Sequence, residues 1–292
     1  MFKTLTSLTL LLSTFYSVGQ DKPGTILWEV SKVGIKDTSY LFGTFHTVNP
    51  DFFLSLPNSV KKLEQSDILF VEQTAVDPDT TLIEDVKLNY WNVERWDNLL
   101  DKEQKQVFKS FVEESEDQGY YNLPPSVLAL NLAQLYTTYF CDIQDRESYE
   151  LMDSFIEQSA SDKNIAVQSL DENQANILLR FSLNSTNEED SAYATRCIKL
   201  MTKMLNDDLS GCKFLEDYKK FNIDYELELE VKGQDESYEL VGRNNKWIPI
   251  LDGAFKENIC FVAVGFRHLM YKQGLVQQLK GLGYSVEPTA TR

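Results

Sequence analysis

Leu41-Phe42-Gly43-Thr44-Phe45-His46 and Ala263-Val264-Gly265-Phe266-Arg267-His268 are the two stretches that decide the fold. Each joins the end of an apolar run to a glycine and, three residues on, a histidine. A glycine there lets the backbone turn sharply, so that the histidine projects from the carboxyl end of a sheet. The chain contains only two histidines, and both fall at the same point of a strand-turn-helix unit, a coincidence that composition alone does not explain.

Outward from the first unit, Ser55 to Ser66 carries Leu56, Val60 and Leu63 on one helical face with Pro57 in the first turn. Asp67 to Glu72 then reads as a buried strand. Outward from the second, Ile259 to Val264 is a strand, Gly265 to His268 a turn and Gln273 to Lys280 a helix. Gly281 to Gly283 breaks it, and Tyr284 to Val286 is a strand leading to Glu287. The partly alternating Thr25 to Val33 and the short run Ser39 to Gly43 form an opening hairpin. The fold class is therefore α/β (α+β). A mixed sheet core is made by two pseudo-repeated strand-GxxH-helix-strand halves at the chain ends, with a mainly helical insertion over residues 79–245.

Within the insertion, Gln104, Val107, Phe108, Phe111 and Val112 give one helix its apolar face. Pro124-Pro125 opens another, running to about Phe140 and apolar nearly all round. Asn131, Gln134, Thr137 and Thr138 make that second helix a buried core element rather than a membrane span. Ile165 to Leu170 reads as a short strand. The alternation of Tyr225, Leu227, Leu229 and Val231 with Glu226, Glu228, Glu230 and Lys232 fits a half-exposed strand or a solvated helix equally well. Tyr90, Trp91 and Trp96 could line a ligand groove, but such clusters are more often core.

At 292 residues, 42% hydrophobic and 25% charged, the chain has the composition of a folded protein. Its formal charge of -17 excludes nucleic-acid backbones as natural partners. Lys3, the apolar run Leu5 to Tyr16 and the small-x-small triplet Ser17-Val18-Gly19 read as a signal peptide over residues 1–19. The expectation is thus a single domain over 20–292, exported to a periplasmic or secreted location, with no membrane span after signal removal. Four cysteines suit an oxidising compartment. The preferred bridge is Cys197 to Cys212, which closes a short loop, with Cys141 to Cys260 also open.

Two units side by side bring His46 and His268 together, and Glu72, ending the strand after the first unit, can point into the same mouth. Two imidazoles and a carboxylate suit a divalent metal with open positions. The same trio also suits metal-free general-base chemistry with the glutamate fixing a histidine tautomer. Farther along, Arg243 and Asn244, at helical spacing from Trp247, could orient a carbonyl or stabilise an oxyanion. On spacing alone, surface charge beside a buried tryptophan is the plainer reading.

Taken together, these residues resemble the TraB/PrgY/GumN family, to which the Tiki metalloproteases also belong. The resemblance runs from Leu27-Trp28-Glu29-Val30 to Pro288. It rests on Leu41 to His46, Val71-Glu72, Arg243-Asn244, and Val264 to His268 with Leu269, Gly274-Leu275 and Leu279. It implies an active centre of His46, Glu72 and His268 with Arg243 and Asn244 beside it. It also implies a divalent metal, manganese or cobalt by likeness to Tiki proteins, with zinc or iron admissible. Asp153 and Leu170-Asp171-Glu172 resemble the family's middle section, where glutamate is usual after the leucine. Phe266 and Arg267 stand where small residues are common. The expected activity is that of an exported divalent-metal-dependent peptidase acting on a peptide or small-molecule substrate. The alternatives are a metal-free His/Glu esterase or amidase, and a non-catalytic peptide- or haem-binding protein.

Overall fold

A computed structural model describes residues 22–74, 90–143, 150–171, 186–231 and 237–292. The expected signal peptide, Lys232 and Glu172 lie outside the described residues.

The core is one six-stranded mixed sheet of β1 (Leu27–Ser31), β2 (Ser39–Thr44), β3 (Ile68–Val71), β4 (Ala166–Ser169), β5 (Cys260–Gly265) and β6 (Ser285–Thr289). Its spatial order is β4-β3-β5-β2-β1-β6. β5 pairs in parallel with both β2 and β3, and β3 with β4, while β1 is antiparallel to β2 and to β6. The two GxxH strands are therefore immediate neighbours, with Gly43 opposite Val264 and Thr44 opposite Gly265. Every residue of β2 is buried, as is all of β5 before Gly265, which is why both read as continuous apolar runs rather than alternating ones.

The pseudo-repeat holds as far as the histidines and then diverges. From β2 the chain passes through α1 (Pro50–Leu54) and α2 (Pro57–Glu64) to β3, beside β5. Prolines open both helices at the first turn, where no backbone N–H is needed. From β5 it passes through α10 (Leu275–Gly281) to β6 at the far edge, where Glu287 is exposed and pairs with Glu29. Glu287 thus has no counterpart role to Glu72.

The described part of the insertion contains α3 (Val93–Leu99), α4 (Lys102–Ser115), α5 (Pro125–Tyr136), α6 (Met152–Asp162), α7 (Asn187–Leu205) and α8 (Lys213–Lys219). α9 (Arg243–Ala254) leads back to β5. Capping boxes start α4 at Asp101 and α7 at Thr186. α6 packs across β3, β4 and β5 and against α1, while α10 packs on β6 and against α9. α4, α5 and α7 enclose a second apolar cluster, including Trp91, Trp96, Phe108, Leu132 and Met201, so these tryptophans are core and only Tyr90 of that trio is exposed. α5 stops at Tyr136 and continues as a wide turn, Thr137–Cys141. Among the described residues, no helix is long and apolar enough to cross a membrane. Tyr225 to Val231 is neither strand nor helix. Tyr225 is buried edge-on to Trp28 while Leu229 is exposed, and the backbone carbonyls of both accept from Tyr271 and Lys272, so the alternation corresponds to neither a ladder nor one buried face.

The disulfide joins Cys141 to Cys212, which corrects the expected Cys197 to Cys212 bridge. Cys197 lies inside α7, about two turns before its end by helical rise, and its thiol donates to the Pro125 carbonyl. Closeness in sequence did not bring the two sulfurs together. Cys260 is buried in β5 as a free thiol. Cys141 packs against both apolar clusters, so the bridge ties the cap to the sheet. It spans 71 residues, and Cys212→Ser is expected to cost roughly 2 to 5 kcal/mol of stability, read from denaturant midpoints. Non-reducing peptide mapping is expected to recover the Cys141–Cys212 pair and no Cys197 cross-link.

Candidate functional site

Three strands deliver residues to one carboxyl edge. His46 follows β2, Glu72 follows β3, and Gly265 ends β5 just before a tight turn, Phe266–Leu269, that carries His268. Glycine at 43 permits the close approach of these elements, and glycine at 265 leaves room between the side chains of the site. A Cβ on Gly43 would stand 2.7 Å from the Phe266 Cβ and 3.0 Å from its Cα, pushing the second turn off the first strand. A Cβ on Gly265 would lie 3.0 Å from Glu72 Oε1 and 3.1 Å from His46 Nε2, inside the site itself.

Glu72 is the centre of the arrangement. Its Oε1 accepts the Gly265 N–H at 2.6 Å and lies 3.7 Å from Nε2 of His46 and 3.7 Å from Nε2 of His268. Its Oε2 accepts a hydrogen bond from Arg243. Arg243 and Asn244 are the first residues of α9, and both reach the site. Arg243 lies against Glu72 and His268, whereas spacing alone had favoured the surface.

Each histidine is fixed through its Nδ1. His46 Nδ1 donates to Asp153 Oδ2 at 2.5 Å, and Thr44 Oγ1 donates to the other Asp153 oxygen at 2.6 Å. The His46 carbonyl accepts from the Met152 backbone, tying the turn to the start of α6. Asn244 Nδ2 donates to the carbonyls of His268 and Gln273, so its Oδ1 is the acceptor and His268 Nδ1 carries the proton, at 2.8 Å. The His268 Nε2 lone pair then accepts from Arg243 Nη1 at 3.2 Å.

Asp171 and Trp247 complete the back wall. Asp171 follows β4, held by its N–H to the Glu72 carbonyl. One of its oxygens accepts from Arg243 Nε at 2.7 Å and Nη2 at 2.5 Å, the other from Trp247 Nε1 at 2.7 Å. The Trp247 ring lies 4.4 Å from the His268 ring and 4.7 Å from the Arg243 guanidinium. Of these supporting residues, the sequence had noted Asp153 and Asp171 only through the resemblance, without roles. Nothing local marks Thr44, and Trp247 had served only as a reference point.

The two histidines titrate in opposite directions. Asp153 is the main cause of a His46 pKa raised to about 9, against the opposing effect of desolvation. Burial lowers His268 to about 3, despite the Glu72 carboxylate. Burial alone would push Glu72 up, but the facing imidazoles, Arg243 and the Gly265 N–H hold it well below the usual carboxylate range. Arg243 is raised, as Glu72 and Asp171 outweigh its burial. At neutral pH the site holds a protonated His46, a neutral His268, and an ionised Glu72 bonded to a charged Arg243.

The donor types suit a divalent metal, since two imidazole Nε2 atoms and a carboxylate oxygen converge and both rings have an acceptor on Nδ1. The arrangement as it stands does not. Arg243 occupies the His268 lone pair and one Glu72 oxygen, and among the described residues no group of three His, Cys, Asp or Glu side chains is placed to hold a metal ion.

The architecture is a mixed α/β sheet with a His-Glu-His-Arg cluster at the carboxyl edge of its central parallel strands. The TraB/PrgY/gumN family model matches residues 26–288, and the chain belongs to that family. Neither the curated proteins nor the solved structures gave a match.

Two outcomes follow from this geometry. In chelator-treated protein, ring resonances from the only two histidines are expected to separate, one titrating near pH 9 and the other staying neutral down to about pH 3. Asp153→Asn should bring the higher one down toward the ordinary value, and an unmoved resonance would discard the pairing. Gly265→Ala is expected to keep the far-UV circular dichroism of the wild type while shifting both the His46 resonance and any activity.

Proposed function

We propose that this chain is an exported hydrolase of the peptidase kind whose centre is His46, Glu72 and His268, with Arg243 and Asn244 as orienting and electrophilic partners. One observation carries it: a single Glu72 oxygen stands 3.7 Å from Nε2 of both histidines at the carboxyl edge of the sheet. Such a convergence of titratable groups with widely separated pKa values is what acid-base chemistry needs. The Cys141–Cys212 disulfide accords with an oxidising compartment, and the signal-like residues 1–19 accord with export.

Each side chain has a role in this reading. His46, whose side chain is 52% exposed, is the group a substrate can reach, and its proton is available to a leaving group. Asp153 holds the ring's orientation and stabilises its charged form. Arg243 offers guanidinium N–H groups to a developing oxyanion, and Asn244 fixes His268. A divalent metal, of the manganese or cobalt kind by likeness to Tiki proteins, would be held by His46 Nε2, His268 Nε2 and Glu72, and would supply Lewis acidity and a more acidic water. Metal-free hydrolysis by the same residues is the second reading, favoured by the Arg243 hydrogen bond to His268 Nε2.

Metal content of tag-free mature protein, beside His46→Ala and His268→Ala, separates the two. A peptide-library cleavage screen with and without chelator accompanies it. The expected result is near-stoichiometric metal lost in both variants, with cleavage falling by about a hundredfold or more. Chelator-resistant cleavage without metal would select the second reading. Unchanged cleavage in both variants would dismiss the site.

A further inference from the structure

Resting on the hydrolase reading of the same site, we propose that Phe214 is a specificity-determining residue: with Phe45 and Phe266 it forms an apolar wall that receives a large apolar side chain, aromatic or branched, next to the scissile bond of a peptide substrate.

The wall is built by the two turns that make the site. Phe45 immediately precedes His46, and Phe266 immediately follows Gly265. Their rings stack 5.9 Å apart. Phe266 is buried, and its Cβ is the atom that a Cβ on Gly43 would strike, so its place is set by the backbone of β2. Phe214 and Tyr218 stand one turn apart on the same face of α8, and both pack on Phe45 and Phe266. The Tyr218 ring is fully buried there, whereas Phe214, 5.9 Å from Phe45 and 5.3 Å from Phe266, is 53% exposed. The inward face of α8 thus emerges into the open at Phe214, on a stack of rings that includes the neighbour of the exposed His46. None of the three phenylalanine rings needs a hydrogen bond, and the adjacent charge of Lys213 is taken by Asp217 at 2.8 Å. An apolar side chain laid on the open side of Phe214 removes the ring from water and breaks no polar contact, while a small or charged one gains nothing there. A peptide is the occupant these contacts select. The wall is continuous through the backbone with the turns carrying His46 and His268, so a chain whose scissile bond lies at His46 runs a flanking side chain along it.

The experiment uses tag-free, full-length mature protein as wild type, Phe214→Ala and Phe214→Leu, with thermal melts to confirm that each variant folds. A peptide library varied on both sides of the scissile bond is expected to show, at one position, a preference of about tenfold or more in kcat/KM for phenylalanine or leucine over alanine. Phe214→Ala is expected to cut that preference below about threefold, through KM rather than kcat, while Phe214→Leu keeps most of it. Cleavage without such a preference, or with a preference that survives in Phe214→Ala, would refute the wall while the hydrolase reading stands. If no peptide is cleaved, the hydrolase reading fails, and the wall is judged by binding of N-acetylphenylalanine amide against N-acetylalanine amide, followed through the His46 ring resonance. Selective binding lost in Phe214→Ala would keep the wall as part of a binding site, and its absence would refute the wall as well. A concentration-dependent dimer that dissociates in Phe214→Ala would assign the ring to a second copy of the chain and overturn the proposal.

Discussion

Burying a carboxylate demands donors, and the demand of Glu72 organises this molecule. Its donors come from the end of β5 and the start of α9, and both flanking imidazoles follow strands with a glycine at or next to the carboxyl end. An ionised carboxylate without them would cost several kcal/mol or take up a proton. Residues almost two hundred positions apart are thereby bound into one energetic unit. The two chain ends must pair as neighbouring strands before the charge can be accommodated, and the insertion must return α9 to the same edge.

The glycines show how closely backbone geometry and site chemistry are linked. Gly43 is the surface on which the second turn rests, and Gly265 is the floor on which Glu72 and His46 meet. Any side chain at the former moves Phe266, and hence the segment carrying His268. At the latter it enters the space between donor atoms. Tyr218 adds to this by donating its buried hydroxyl to the Gly43 carbonyl at 2.8 Å, so α8 of the cap helps to hold the first turn. The disulfide leading into α8 therefore stabilises the helix that reaches back to the site.

Much of this was legible in the sequence, for identifiable reasons. Buried parallel strands are continuous apolar runs, so β2, β3 and β5 stood out, and the repeated GxxH spacing marked β2 and β5 as parts of related units. The rarity of histidine made the pair conspicuous. What was not legible depends on long-range packing. Cys197 and Cys212 are close in sequence, but the rigid α7 points the first into the α5 interface. Tyr225 to Val231 alternates in sequence without forming a strand or a helix, and periodicity cannot tell that from a ladder. Asp153 and Asp171 are two acids among forty-five, and only the fold shows which two face an imidazole and a guanidinium.

The same motif has produced two unlike histidines, and the cause is the partner of Nδ1. Asp153 gives His46 a negative charge to face at a half-exposed position, so the imidazolium is favoured. Asn244 gives His268 a neutral acceptor at a 5% exposed position, with Trp247 on its face and Arg243 on its lone pair, so only the neutral ring is tolerated. A charged second ring would set two cations against each other in a confined space, and an aspartate at 244 would invite it. The asymmetry separates the work between two groups that the sequence presents as equivalent. One ring carries a proton at the mouth, while the other is a fixed lone pair at the back that Arg243 occupies.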